Sequence, residues 1–275
     1  MPHLLSVWPG VVERIRRAGR ILLLLDYDGT LTPIVSRPEQ ADLSPETRRL
    51  LFDLKANTRI VLGVISGRSL ADLQERVGVP EIIYGGNHGL EMEGLGESFL
   101  HPAAIAQRDA LSSIGRQLEQ ELGPYPGIIV ENKGLTLSVH YRRTPEDLIA
   151  PVENGFNRVV APGITAGNFK ITRGKMVLEV RPNLDWDKGK AIARIIEVLS
   201  DGKPAEATNA EGTTFAGELA VYFGDDLTDE AGFNVVQDAG GIAVLVGPAG
   251  QPTQARYRVD SPAQVVEILR ALVQL

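Results

Sequence analysis

The sequence predicts an α/β protein: a doubly wound parallel sheet with a smaller α/β unit inserted into it. Three observations lead there. Short apolar runs recur at Ile21–Leu25, Ile60–Ile65, Ile82–Tyr84, Leu219–Phe223 and Ile242–Val246 without alternation, the pattern of strands covered on both faces. Helical patterns lie between them. In the middle of the chain the pattern changes: Leu135, Leu137, Val139 and Tyr141 alternate with Thr136, Ser138, His140 and Arg142, as in a strand with one open face.

The elements follow in order. The first strand, within "ILLLLDYDGTL", runs straight into Asp26 and Asp28. Ser44-Pro45 supplies an N-cap and an N1 proline to a helix bearing Leu50, Leu51 and Leu54. The next strand leads into "ISGRS". A helix over roughly 103–122 opens the inserted unit. The alternating strand follows, then a helix after Thr144-Pro145. A hairpin of Asn168–Thr172 and Met176–Val180 turns at Arg173-Gly174. The insertion is placed at 102–182, with Pro102 and Pro182 at its edges, leaving 1–101 and 183–275 for the sheet core. Ile192, Ile195, Ile196 and Leu199 stripe a further helix. Residues 201–218 are polar, small and unpatterned, a surface loop. Ser261-Pro262 starts a last helix bearing Val265, Ile268, Leu269 and Leu272. Trp8 and Trp186 are expected to be packing residues.

Composition limits the function. The 275 residues are 43% hydrophobic and 23% charged, enough for a large core. A net charge of −7 gives no surface for a polyanion, so no nucleic-acid partner is expected. With no cysteine, disulfides and thiolate metal sites are excluded. That usage fits a reducing cytoplasm, the expected location. The early sequence holds no stretch resembling a signal peptide, and Ile21–Leu25 is too short to span a bilayer. A monomer acting on a small molecule, without a membrane partner, is the expectation.

The acids at the strand ends point to the chemistry. In open parallel sheets, ligands sit outside the carboxyl ends of the strands. Asp26 and Asp28 stand at one such end, and "VYFGDDLTDE" places Asp225, Asp226 and Asp229 at another. Two acidic clusters meeting at one sheet edge call for a hard divalent cation, and Mg²⁺ is the usual one. Residues i and i+2 of an extended segment point the same way, so Asp26 and Asp28 can address one reacting centre. One can attack phosphorus while the other handles the leaving oxygen's proton. Ser66 offers a hydroxyl for a phosphoryl oxygen, and Lys188 in "DWDKGK" offers a point charge for developing negative charge.

"DYDGTL", "SGR", "DKG" and "GDDLTDE", in that order, resemble the four motifs of the haloacid-dehalogenase (HAD) superfamily of phosphotransferases. The superfamily fold is a doubly wound, Rossmann-like parallel sheet, and the insertion resembles the larger α/β cap of its sugar-phosphatase branch. Within that branch, "YGGNHGLE", "VENKGLTLSVHYR", "VLEVRP" and "VYFGDDLTDE" are similar to the trehalose-6-phosphate phosphatase family. The resemblance implies hydrolysis of trehalose 6-phosphate through an aspartyl-phosphate, with Asp26 as nucleophile and Asp28 as general acid and then base. It implies Mg²⁺ at Asp26, the Asp28 carbonyl and Asp225, with Asp229 supporting. Ser66 and Lys188 would grip the phosphoryl group, and Arg68, Asn87 and His88 would face the substrate. Glu131, Lys133, Arg142 and Glu179 would hold the glucose rings.

Other readings stand beside this one. "DYDGT" as a calcium loop would need a helix before it and an acid at its twelfth position, which is Arg37. Asp225, Asp226 and Asp229 could simply cap a helix, and Ser66 could be an N-cap. Glu131 or Glu179 could pair with Lys133 or Arg142 for structural reasons alone. Among functions, a phosphatase for a sucrose-phosphate or mannosyl-glycerate phosphate, a sugar phosphomutase and a non-catalytic phospho-acceptor remain alternatives.

Overall fold

Strand β1 (Arg20–Leu25) explains the missing alternation. Ile21, Leu23 and Leu25 enter one hydrophobic layer, while Leu22 and Leu24 enter another on the opposite face. The structure, a computed structural model, describes residues 1–200 and 218–275. Those residues form two compact units, one of Met1–Phe99 with Trp186–Leu275 and one of Leu100–Asp185.

The larger unit begins with α1 (Trp8–Arg17) and continues through β1, α2 (Pro45–Ala56), β2 (Ile60–Ile65), α3 (Leu70–Val77), β3 (Ile83–Gly86), β4 (Glu91–Glu93) and β5 (Phe99–Leu100). In the second unit come α4 (Pro102–Ile105), α5 (Arg108–Leu122), β6 (Ile129–Asn132), β7 (Leu137–His140), α6 (Glu146–Thr165), β8 (Phe169–Gly174) and β9 (Val177–Pro182). The chain returns through α7 (Lys188–Leu199), β10 (Glu218–Gly224), α8 (Glu230–Asp238), β11 (Ile242–Val246), β12 (Tyr257–Val259) and α9 (Pro262–Val273).

The sheet of the larger unit has the order β12-β11-β10-β1-β2-β3-β4-β5. From β12 to β3 every pairing is parallel, and β4 joins β3 antiparallel. One face is covered by α1, α2, α3 and α9 through residues such as Ile15, Leu51, Leu73 and Leu269. The other is covered by α7 and α8 through Ile192, Ile195, Phe233 and Val236. Both faces are therefore dry along the central strands, and successive residues such as Ile21–Leu25 are apolar without alternation. Since β1 lies between β10 and β2, its carboxyl end brings Asp26 beside the ends of both neighbours.

The second unit is a four-stranded antiparallel sheet, β6-β7-β9-β8. Leu111, Leu118, Val139, Phe156 and Val180 pack its helices onto one face.

Several expectations change in detail. The helix at 103–122 is two helices, α4 and α5, separated at Ala106-Gln107. The alternating strand is open on only part of its polar side: Thr136 and Ser138 are buried, with Thr136 donating to the buried Glu179 carboxylate at 3.1 Å, while His140 and Arg142 are partly exposed. The hairpin turns at Lys175-Met176 rather than Arg173-Gly174, because Met176 takes the left-handed φ of +62° and Gly174 still pairs with Val177. Ser44 caps α2 by accepting from the Thr47 N–H at 3.0 Å, but the Ser261 side chain makes no cap bond to α9. The loop expected over 201–218 lies outside the described residues except for Glu218, which opens β10 and pairs with Arg20. Among the described residues no helix is long and apolar enough to cross a membrane.

Candidate active site

Where β1 ends, the Asp26 N–H donates to the Phe223 carbonyl of β10 at 2.9 Å, fixing the two strand ends together. The chain then turns at Gly29, whose φ is +85°. A Cβ at position 29 would stand 2.0 Å from Asp225 Oδ2, so glycine is needed both for the backbone angle and for the approach of that carboxylate. One oxygen each from Asp26, Asp225 and Asp229 lies within 4.8 Å of the others, and all three residues are buried.

Lys188 enters this cluster from the first residue of α7, the helix capped by Asp187 through the Lys190 N–H at 2.9 Å. Its Nζ donates to Asp26 Oδ1 at 2.7 Å and to Asp229 Oδ1 at 2.6 Å. The Tyr222 hydroxyl donates to the same Asp229 oxygen. The second oxygen, Oδ2, accepts from the N–H groups of Asp225 at 2.9 Å and Asp226 at 3.1 Å. Asp229 thus spends both oxygens on four donors and acts as a brace. Asp226 caps the turn that follows, accepting from the Thr228 N–H and hydroxyl at 2.8 and 2.7 Å.

The electrostatics set the charge balance of the cluster. Burial pushes the Asp26 carboxyl well above its ordinary value; Lys188 pulls it down, and Asp229 and Asp225 add to the rise. Burial works against the Lys188 charge, yet Asp229 and Asp26 hold its ammonium well above the usual lysine range. Burial and then the Asp229 charge raise the Tyr222 phenol, so its proton stays on and donates. One ammonium against three carboxylates leaves a buried excess of negative charge. The all-oxygen donor set suits a hard divalent cation, which would remove the pressure to protonate Asp26.

Ser66 directly follows β2, with its Oγ accepting from the Arg68 N–H at 3.2 Å. The N-cap of α3 is Ser69, not Ser66: Ser69 accepts from the Asp72 N–H at 3.3 Å. The "SGR" and "GGNHG" loops are stitched together by Asn87 N–H to the Arg68 carbonyl at 2.6 Å and His88 N–H to the Ser66 carbonyl at 2.8 Å. Asn87 and His88 both hold left-handed φ angles, +48° and +58°, a strain that concentrates at functional sites. The His88 ring lies on Gly67, where a Cβ would be 2.8 Å away. Asn87 Nδ2 donates to Glu91 Oε1 at 2.7 Å.

Arg68 stands beside Asp28. Its guanidinium is buried against Asp28, which it grips with two hydrogen bonds of 2.7 and 2.8 Å. In the second unit, Lys133 donates to Glu179 at 3.0 Å, and Thr136 and Thr172 add hydroxyl donors at 3.1 and 3.2 Å. Glu131 pairs with His140 at 2.8 Å, and Arg142 donates to the Lys175 carbonyl at 2.6 Å.

A sequence model of the family described as trehalose-phosphatase matches residues 24–263, most of the chain. The chain belongs to the trehalose-phosphatase family. The trehalose-phosphate phosphatase of Mycobacterium tuberculosis is 35% identical over 256 residues, 92% of this chain, and the chain spans 61% of that relative's length. The C-terminal domain of Candida albicans trehalose-6-phosphate phosphatase superposes with a TM-score of 0.81 at 27% identity, covering 99% of this chain and 98% of that one. A haloacid dehalogenase-like hydrolase from Bacteroides thetaiotaomicron shares the fold at a TM-score of 0.58 and 18% identity, over 92% of this chain and 99% of that one. In this trehalose-phosphatase family member, three residues escaped the sequence reading. Tyr222 is hidden in an apolar run, His140 looks like an ordinary strand position, and Asp72 falls four residues after Arg68 and four before Arg76. Only the last leaves a readable signal, the i,i+4 spacing of opposite charges.

Proposed function

We propose that the chain hydrolyses a sugar phosphate monoester, trehalose 6-phosphate, to the free sugar and phosphate through an aspartyl-phosphate on Asp26. The observation that carries this reading is the placement of a buried carboxylate, Asp26, against a buried ammonium, Lys188, at the end of β1, with Asp225 and Asp229 beside them. Mg²⁺ would be held by Asp26, the Asp28 carbonyl and Asp225, with Asp229 bracing from its four donors. It would supply positive charge to the phosphoryl oxygens and keep Asp26 ionised.

The residues then divide the work. Asp26 attacks phosphorus in line, forming the acyl-phosphate bond as the ester P–O bond breaks. Lys188 and the Ser66 hydroxyl stabilise the phosphoryl oxygens as charge moves onto them. Asp28 gives its proton to the departing sugar oxygen, then takes one from the water that attacks the aspartyl-phosphate, regenerating both acids. In the second unit Glu131, Lys133, Arg142 and Glu179 supply directional partners for sugar hydroxyls. The same reading makes the protein a cytoplasmic monomer.

Phosphate release from a panel of sugar phosphates, with and without Mg²⁺, tests the proposal. The expected result is Mg²⁺-dependent release, fastest from trehalose 6-phosphate. A preference for a sucrose or mannosyl-glycerate phosphate changes the substrate. An isomerised sugar phosphate in place of free phosphate overturns the reaction type.

A further inference from the structure

The guanidinium of Arg68 is fixed on several sides. Nε donates to Asp28 Oδ2 at 2.7 Å, and Nη2 to Asp28 Oδ1 at 2.8 Å and to the Pro38 carbonyl at 2.9 Å. Nη1 donates to Asp72 Oδ2 at 2.6 Å. Asp72 accepts in turn from Arg76 Nε on both oxygens, at 2.8 and 3.0 Å. The guanidinium carbon also lies 5.2 Å from the centre of the Tyr27 ring. Asp72 and Arg76 lie one turn apart on α3, and Arg68 stands just before its N-cap Ser69, four residues ahead of Asp72, so the three charges follow at i,i+4 spacing. The side chain of Arg68 is 7% exposed and that of Asp28 is 37% exposed. The buried, many-bonded member of the pair is the arginine.

We propose that Arg68, braced by Asp72, is a positioning residue that sets where the Asp28 carboxylate stands. A guanidinium keeps its charge at every working pH and matches a carboxylate with two parallel hydrogen bonds. It therefore fixes both the position and the plane of the acid. Proton transfer needs the acid within hydrogen-bond reach of the leaving oxygen and then of the attacking water. Asp72 takes the remaining arm of the fork and prevents the guanidinium from tilting, while Arg76 holds Asp72. The inference rests on the proposed acid-base part of Asp28 and adds two residues, Arg68 and Asp72, that act through it without meeting the sugar.

Steady-state kinetics of Asp72→Asn, Arg68→Lys, Asp28→Asn and the double variant Asp28→Asn/Asp72→Asn test it, with Mg²⁺ present and thermal melting as the folding control. Arg68→Lys keeps the charge without the fork and gives the same readout if Asp72→Asn does not fold, with Asp28→Asn/Arg68→Lys as its double variant. Each positioning variant is expected to lower kcat about tenfold, with KM within about twofold of the parent. In the Asp28→Asn background either change should cost nothing further, because the group being positioned is already gone. A raised KM with intact kcat shows that Arg68 meets substrate and overturns the inference. So do losses that multiply in the double variant, or parental kcat in both positioning variants. Full turnover by Asp28→Asn overturns instead the acid-base reading beneath it.

Discussion

Asp225 occupies the ground that a side chain on residue 29 would need: a Cβ on Gly29 would lie 2.0 Å from its Oδ2 and 2.3 Å from its Cγ. The turn after β1 and the loop after β10 therefore fit together only if residue 29 has no side chain. Gly29→Ala should strain the left-handed φ of +85°, at a cost of about 1–3 kcal/mol, and displace Asp225 from the acidic cluster. Phosphate release is expected to fall about a hundredfold, and the Mg²⁺ concentration for half-activation to rise. Parental Mg²⁺ dependence in a folded Gly29→Ala protein would show that Asp225 is not needed at that spot.

The pressure on Asp26 has a consequence for stability. Burial raises its pKa, Lys188 opposes, and Asp229 and Asp225 reinforce the rise. A carboxyl that keeps its proton longer in the fold than in the unfolded chain lowers stability as pH climbs above the ordinary carboxylate range of about 4. In chelator at pH 7, Asp26→Asn should therefore melt higher than the parent, and the gap should close as pH falls toward 4. The same variant should release no phosphate. A lower melting point at neutral pH would mean that the attraction of Lys188 outweighs burial and the neighbouring acids.

A cation that binds the folded cluster and not the unfolded chain must stabilise the protein by mass action. At a hundred times its dissociation constant, Mg²⁺ should add about 2.7 kcal/mol, read as a melting point that rises with Mg²⁺ concentration. Asp225→Asn should abolish the rise. The Asp28 side chain is bonded to Arg68, so Asp28→Asn should leave most of the rise in place.

In the proposed function Glu179 is a residue of the second unit that would bear on substrate choice. Its carboxylate accepts from Lys133, Thr136 and Thr172, and both charges of the Lys133 pair are nearly sealed from water. Glu179→Gln should raise the KM for trehalose 6-phosphate about tenfold, equivalent to 1.4 kcal/mol of binding, with kcat little changed. p-Nitrophenyl phosphate offers no sugar hydroxyls and should be hydrolysed at the parental rate. A parallel loss on both substrates would make the pair structural.

The parts of this molecule legible in its sequence are those governed by local rules. Apolar runs such as Ile21–Leu25 read as doubly covered strands because both faces of the sheet are packed, and acids directly after them had to gather at the sheet's carboxyl edge. What stayed hidden depends on pairing across long separations. Tyr222 looks like one more core residue until Asp229 folds back under it, and nothing near Thr136 announces that Glu179, 43 residues away, will accept its hydroxyl. The family resemblance of "SGR" implies that Arg68 faces substrate, and nothing in that stretch announces a carboxylate partner. Its ion-pair partner in the structure, Asp28, is 40 residues earlier, and only the fold of the parallel sheet brings the two loops together.

Tyr222 and Lys188 converge on one oxygen, Asp229 Oδ1. The phenol is fully buried at the end of β10, so its proton has no solvent alternative to that carboxylate. Tyr222→Phe removes one donor of four to Asp229 and opens no sizeable cavity, since only a hydroxyl is lost. The cost should be about 1.5 kcal/mol, the low end for a hydrogen bond to a charged group, because Lys188 and two backbone N–H groups still serve the carboxylate. Asp229 Oδ1 then leans wholly on Lys188 and draws the ammonium away from Asp26. Turnover should fall by less than about tenfold, with KM for the sugar phosphate unchanged. Pre-steady-state trapping of the aspartyl-phosphate should place the loss in its formation, the step in which Lys188 meets the incoming charge. A loss confined to its hydrolysis would instead connect Tyr222 to the water and to Asp28.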